Sequence, residues 1–106
     1  MQLKRYQEAI ADYTHLIDAC GCTEFYVQRA AAYFALGDSS NAVADYTKAI
    51  EVDPTNSSLY LGRGQASASL GNKPAAIADF NKVLAISTSD SEKAEAQKQL
   101  DALGTT

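Results

Sequence analysis

The stretch ADYTKAIEVDPTN, residues 44–56, decides the fold, because parts of it occur twice more in this chain of 106 residues. Upstream the sequence reads ADYTHLID at residues 11–18, and downstream it reads ADFNKVLA at residues 78–85. The aspartates of the three copies follow one another after 33 and then 34 residues. A recurrence at this interval is typical of architectures in which one supersecondary unit is stacked on the next.

A second pattern lies between the copies. TEFYVQRAAAYFALGD at 23–38 aligns with SSLYLGRGQASASLGN at 57–72, and each has apolar residues at helical spacing before a closing glycine. Each unit is therefore a first helix, which we call helix A, then a short turn and a second helix, which we call helix B. Helix B carries the Ala-Asp-aromatic phrase found at residues 11–13, 44–46 and 78–80. We predict no strand and six helices, at residues 4–19, 24–36, 40–52, 57–70, 74–86 and 90–103.

The middle unit resembles the tetratricopeptide repeat (TPR) family, whose members place small and aromatic residues at fixed positions of two helices. The matching residues are Tyr26, Ala30, Tyr33, Gly37, Ala42, Tyr46, Ala49 and Pro54. The next unit departs from the pattern, with Ser67 in place of the tyrosine and Thr88 in place of the proline. The resemblance implies an all-α fold, a solenoid of antiparallel helix-turn-helix repeats with a C-terminal capping helix.

On this basis the chain forms one TPR domain over residues 1–106. We expect a half repeat with helix B only at 1–22, full repeats at 23–56 and 57–90, and a capping helix at 91–106. Ser89 and Glu92 suggest a capping box at the start of the last helix. Because helical periodicity begins almost at the first residue, we expect either a chain cut from a longer one or one that uses its N-terminal edge for contacts.

Composition narrows the class of function. The net charge of −4 argues against nucleic acid as a partner, and no apolar run reaches the roughly 20 residues that span a membrane. The single histidine has no sequence context for nucleophilic catalysis, so we expect no enzyme and no cofactor. Cys20 and Cys22 are too close in sequence to stabilise the fold, and reduced thiols in a cytoplasmic protein are the preferred interpretation.

A metal site near the end of the first helix is not expected either. The residues that suggest one are His15, Asp12, Asp18, Cys20 and Cys22. Zinc sites usually take their ligands from two separated pairs, whereas this stretch offers one cramped Cys-x-Cys and a single histidine.

Arg29 and Arg63 occupy equivalent places in the two helices A, where the family more often has leucine. They could form a basic surface for a carboxylate of a partner. Alternatively, they form internal ion pairs with the helix B aspartates, Asp45 being shared or alternating between them. We favour the ion pairs, because an unpaired charge near a helix interface is costly.

The resemblance implies a non-catalytic protein–protein interaction module that presents the concave face of its helices A to a peptide or protein. We expect this groove at Val27, Gln28, Ala31, Phe34, Leu61 and Gln65. Phe34 is either an exposed anchor for the partner or a cover for Leu61 in the next repeat. The surface lacks the lysines and asparagines with which some family members clamp a C-terminal carboxylate. We therefore do not expect this chain to bind a partner in that way.

The alternative function is structural: the chain is part of a longer TPR scaffold, or a self-associating unit whose partner is a second copy. The first helix lacks a helix A partner, and residues 24–36 cannot cover all of its apolar residues. Tyr6, Ile10 and Tyr13, together with Ile17, form the expected contact surface. A homodimer through the N-terminal half repeat is the simplest closed assembly.

Overall fold

The computed structural model describes residues 2–104, with side chains from Lys4 onward. Its six helices are α1 (Gln2–Cys20), α2 (Thr23–Ala35), α3 (Ser39–Val52), α4 (Ser57–Ser69), α5 (Lys73–Ile86) and α6 (Asp90–Ala102). This part of the chain contains no strand. The all-α prediction is confirmed, and every predicted helix end lies within two residues of the observed one.

The helices form two layers. Each helix packs on the next along the chain, and the pairs α2 with α3 and α4 with α5 make the most extensive contacts. In addition α2 touches α4, and α4 touches α6, whereas α1, α3 and α5 make no such contacts with one another. The layer whose helices approach one another lies on the inside of a curved stack. The concave face is therefore formed by α2, α4 and α6.

Glycine ends both helices A. Gly37 and Gly71 have φ of 86° and 81°, a left-handed conformation that glycine adopts without a steric penalty. The following amides donate back to the helix, Asp38 to the Tyr33 carbonyl at 2.8 Å and Asn72 to the Ser67 carbonyl at 2.9 Å. The Asp38 side chain then accepts from the amide of Asn41 and begins α3. The turns predicted at these glycines are confirmed.

Small residues allow the helices to pack closely. Ala30, Ala42 and Ala76 have no exposed surface. A Cβ atom on Gly64 would lie 2.7 Å from the ring of Phe80, which is itself fully buried. Aromatic rings of helix B thus pack against helix A at positions where a larger side chain would not fit.

The last helix covers the end of the stack. Ala96 and Leu100 of α6 are buried in the main apolar cluster, and Leu103 packs against it. Ser89 accepts a hydrogen bond from the Glu92 amide at 3.3 Å, which is one half of the predicted capping box. The other half of the predicted box, a hydrogen bond from the Ser89 amide to the Glu92 carboxylate, is wrong. The Glu92 carboxylate accepts hydrogen bonds from the hydroxyls of Ser57 and Ser58, while the Ser89 amide donates to the Ser87 hydroxyl.

Cys20 and Cys22 form a disulfide between the end of α1 and the start of α2. The expectation of reduced thiols is therefore wrong for this structure. The reason lies in Gly21, whose φ of 66° turns the chain so that the flanking Cα atoms are 5.3 Å apart. A disulfide can bridge that separation.

Candidate protein-binding surface

Two arginine–aspartate pairs connect the inner layer to the outer layer. Arg29 donates to both carboxylate oxygens of Asp45 at 2.8 Å. Arg63 donates to both carboxylate oxygens of Asp79 at 2.9 Å. The predicted internal ion pairs are confirmed. The prediction that Asp45 is shared is wrong, because a single guanidinium already engages both of its oxygens.

Each arginine also reaches back to the preceding helix B. The third guanidinium nitrogen of Arg29 donates to the Thr14 hydroxyl at 3.0 Å, and that of Arg63 donates to Thr47 at 3.3 Å. The Thr14 hydroxyl in turn donates to the carbonyl of Ile10 at 2.7 Å. Each arginine thereby links two successive helices of the outer layer.

The environment keeps both guanidinium groups charged. The pKa of Arg29 is raised, mainly by its hydrogen bonds to Asp45, although burial opposes the shift. The pKa of Arg63 is raised in the same way by Asp79. The Arg29 guanidinium also lies 5.6 Å from the ring centre of Tyr26. Since both arginines are held by internal partners, neither offers a free positive charge to a ligand.

A cavity of about 440 Å³ opens where the first turns of α2 and α4 approach the turn after α3. Its lining residues are Thr23, Glu24, Val27, Gln28, Asp53, Asn56, Ser58 and Leu59. We call it the α2–α4 cavity. Its volume falls within the range of about 300–1,000 Å³ that is usual for ligand sites.

A second cavity, of about 380 Å³, lies between α1 and α2. It is lined by Tyr6, Ala9, Tyr13, Gln28, Ala31, Ala32 and Ala35. We call it the α1–α2 cavity. Apart from the polar groups of Gln28 and the two tyrosines, the lining consists of alanine methyl groups and tyrosine rings, so its surface is mostly apolar.

Three of the six predicted groove residues line one or both of these cavities. Val27 lies in the α2–α4 cavity, Ala31 lies in the α1–α2 cavity, and Gln28 lines both. Phe34 lies in neither, and its side chain is 38% exposed. Leu61 is half-buried against the main apolar cluster, and Gln65 is half-buried beside it on α4.

The sequence did not indicate that the turn after α3 contributes to the surface. Asn56 does cap α4, accepting from the Ser58 amide at 3.2 Å, yet it also lines the α2–α4 cavity.

The apolar residues of α1 are covered to different extents. Ile17 is buried, whereas Tyr6, Ile10 and Tyr13 are only half-buried. The ring of Tyr13 stacks on Phe25 of α2, with ring centres 6.4 Å apart. Leu16 is 42% exposed. Of the predicted contact surface, Ile17 is therefore covered, whereas Tyr6, Ile10 and Tyr13 stay partly accessible.

Within residues 2–104, no group of three His, Cys, Asp or Glu side chains is arranged to hold a metal ion. None of the helices described combines the length and the apolar character needed to cross a membrane.

Comparison with known proteins identifies the family. The tetratricopeptide repeat model matches residues 27–91. The chain belongs to the tetratricopeptide repeat family. Among solved structures, the Arabidopsis OM64 TPR domain is similar with a TM-score of 0.79 and 32% identity, over 90% of this chain and 80% of that one.

The TPR chain is also similar to a domain solved with a ligand. The first TPR of Spaghetti (RPAP3), bound to the HSP90 peptide SRMEEVD, has a TM-score of 0.82 and 29% identity over 95% of this chain and 82% of that one. The Protein SGT1 homolog of Oryza sativa subsp. japonica is 48% identical over 50 residues. That match covers 46% of this chain and 14% of the rice protein.

Proposed function

We propose that this TPR domain is a non-catalytic interaction module that binds a peptide or protein segment on its concave face. The observation that carries the proposal is the α2–α4 cavity, which combines an apolar floor at Val27 and Leu59 with polar groups around it. The similarity to a TPR domain solved with a bound peptide supports the same class of function.

The charges around the cavity favour a basic partner. Glu24 and Asp53 are exposed in its lining, and neither forms an ion pair with another residue in 2–104. The basic residues of α2 and α4 are Arg29 and Arg63, and both are engaged by aspartates. A segment with lysine or arginine beside an apolar side chain is therefore complementary, whereas an acidic peptide such as SRMEEVD is not.

Phe34 extends the proposed surface along α2. It lies seven residues after Val27, so the two side chains share one face about 10 Å apart. An exposed aromatic beside the small residues Ala31 and Ala35 suits the anchor of a binding surface. The partner segment is then expected to run from the α2–α4 cavity toward Phe34.

Selection from a random heptapeptide library tests the proposal without knowledge of the natural partner. We expect the wild type to enrich peptides that combine Lys or Arg with a large apolar residue. Phe34→Ala should lower the recovery of these peptides while the circular dichroism spectrum and Tm stay unchanged. Val52→Ala is the matched control, because Val52 is 70% exposed at the end of α3 and lines neither cavity.

Two outcomes would contradict the proposal. Enrichment of acidic peptides would overturn the charge argument. A sharp fall in the Tm of Phe34→Ala with unchanged peptide recovery would show that Phe34 covers Leu61 as part of the core.

The second candidate function is self-association through α1. It is favoured by the half-buried Tyr6, Ile10 and Tyr13 beside the mostly apolar α1–α2 cavity. Sedimentation of the wild type should show a dimer that Tyr6→Glu weakens. A monomer at every concentration would remove this candidate and leave the groove proposal intact.

A further inference from the structure

A third cavity, of about 270 Å³, lies where α3, α4 and α5 meet, and Ser67 contributes to its lining. We call it the α3–α5 cavity. In the preceding repeat the residue equivalent to Ser67 is Tyr33, whose ring centre lies 5.8 Å from the guanidinium carbon of Arg29. Arg63, the residue equivalent to Arg29, also lines the cavity. The cavity therefore lies where the preceding repeat holds an aromatic ring.

The surroundings of Arg63 reflect the missing ring. Arg29 lies close to two tyrosine rings, with ring centres 5.6 Å away for Tyr26 and 5.8 Å away for Tyr33. Within residues 2–104, Arg63 has one such ring, that of Tyr60 at 5.7 Å. The side chain of Arg63 is 24% exposed, compared with 17% for Arg29. An additional ring can pack against the Arg63 guanidinium while its hydrogen bonds to protein partners remain in place.

Ser67 places a hydroxyl group in the same cavity. The residue is only 3% exposed, and its hydroxyl forms no hydrogen bond with another residue in 2–104. A buried hydroxyl without a partner is unfavourable, so a ligand that offers a hydrogen-bonding group here gains affinity. A phenol ring combines such a group with the aromatic face that suits Arg63.

The cavity is open on one side. Ser67 and Asp79 form its buried part, whereas Leu70, Asn72 and Ala78 are exposed at its rim. A side chain can therefore enter while the backbone that carries it stays at the protein surface. Leu70, 52% exposed, offers apolar contact to a neighbouring residue of the same segment.

We propose that the α3–α5 cavity binds the phenol ring of a tyrosine side chain from a partner protein. The ring packs against Arg63 as Tyr33 packs against Arg29, and its hydroxyl forms a hydrogen bond with Ser67. This site shares no lining residue with the α2–α4 or the α1–α2 cavity, so the inference goes beyond the proposed function and does not rest on it.

Titration of the ¹⁵N-labelled full chain with the tripeptide acetyl-Gly-Tyr-Gly-amide tests the proposal. We expect saturable amide shifts at Val43, Thr47 and Ala75, which line the cavity, and weaker binding of acetyl-Gly-Phe-Gly-amide, which lacks the hydroxyl. Ser67→Tyr places a ring inside the cavity and should raise the dissociation constant of the tyrosine tripeptide at least about tenfold. Circular dichroism and Tm check that this variant is folded.

A second variant obstructs the rim without changing a buried residue. Ala78 is an exposed residue of α5, so Ala78→Leu should preserve the fold and weaken binding of the tyrosine tripeptide. Ala85→Leu is the matched control and should bind like the wild type, because Ala85 is exposed on the same helix and lines none of the three cavities.

Several results would overturn the proposal. These are the absence of saturable shifts with the tyrosine tripeptide, equal affinity of the phenylalanine tripeptide, and unchanged binding by folded Ser67→Tyr or Ala78→Leu. Binding of p-cresol without binding of the tyrosine tripeptide would also overturn it and would identify a free small phenol as the ligand. None of these results bears on binding at the α2–α4 cavity, whose lining is different.

Discussion

Arg29 and Asp45 face each other across α2 and α3, and both oxygens of the carboxylate accept from the guanidinium. Their side chains are 17% and 7% exposed, so most of the pair is removed from water. Removing one partner would leave the other charge poorly solvated, which is costly in a protein interior. The pair Arg63 and Asp79 repeats the arrangement in the next unit.

Asp45→Ala should therefore lower the free energy of unfolding by about 2 kcal/mol. This loss is smaller than that expected for a fully buried pair, because Arg29 retains some contact with water. Asp101→Ala is the control, since Asp101 is exposed and accepts one hydrogen bond from Gln97. Its effect should stay below about 0.5 kcal/mol. Urea denaturation measures both values.

A double-mutant cycle tests which residues form the pair. We expect a coupling energy of about 1 kcal/mol or more between Arg29 and Asp45, and none between Arg63 and Asp45. If Arg63 couples to Asp45 as strongly as Arg29 does, the separate pairs described above are wrong and the aspartate is shared.

Through Glu92, the stability of the fold should depend on pH. Its pKa lies below the ordinary value because Ser57, then Ser58, donate hydrogen bonds to the carboxylate. A carboxylate with a lowered folded-state pKa contributes stability that is complete above the unfolded-state pKa of about 4.3 and is lost as pH falls through the folded-state pKa. We expect Glu92→Gln to be less stable than the wild type near neutral pH.

The same variant should approach wild-type stability as the pH falls well below about 4. Urea denaturation at a series of pH values measures this convergence. Glu51→Gln is the comparison, because Glu51 is exposed and makes only a 4.0 Å contact with Lys48. A difference between wild type and Glu92→Gln that is constant with pH would show that the hydrogen bonds do not depend on the charge.

Gly64→Ala should destabilise the fold although alanine is the better helix former. Alanine gains about 1 kcal/mol over glycine in a helix, but the added Cβ would lie 2.7 Å from the ring of Phe80. Phe80 is fully buried, so we expect the cost of overpacking, about 1–3 kcal/mol, to exceed the gain in helix propensity. The control Ser69→Ala, at an exposed position of α4, should not lower the Tm.

The helices were predictable because the signals were local. Gly37 and Gly71 each end a helix, and Asp38 and Asn72 cap the helices that follow. The repeat interval relates the equivalent helices of successive units. The disulfide was not predictable in this way. It depends on the conformation of Gly21, which the sequence around Cys20 does not determine.

The candidate surface was only partly predictable. Helical spacing indicated the face of α2 that carries Val27, Ala31 and Phe34, but spacing alone does not show how far a neighbouring helix covers each side chain. The cavity that contains Asp53 arises from the approach of a turn to two helices. Such a contact depends on tertiary packing and leaves no periodic trace in the sequence.

Binding of a basic, apolar segment at the α2–α4 cavity can be measured by titrating the ¹⁵N-labelled protein with the heptapeptide SRMKKVK, the charge-reversed counterpart of SRMEEVD, and following the amide chemical shifts. We predict saturating shifts at Thr23, Glu24, Val27, Asp53 and Leu59, which line the cavity, and weaker effects with SRMEEVD. Shifts confined to α5 and α6, or larger shifts with SRMEEVD at the same residues, would contradict it.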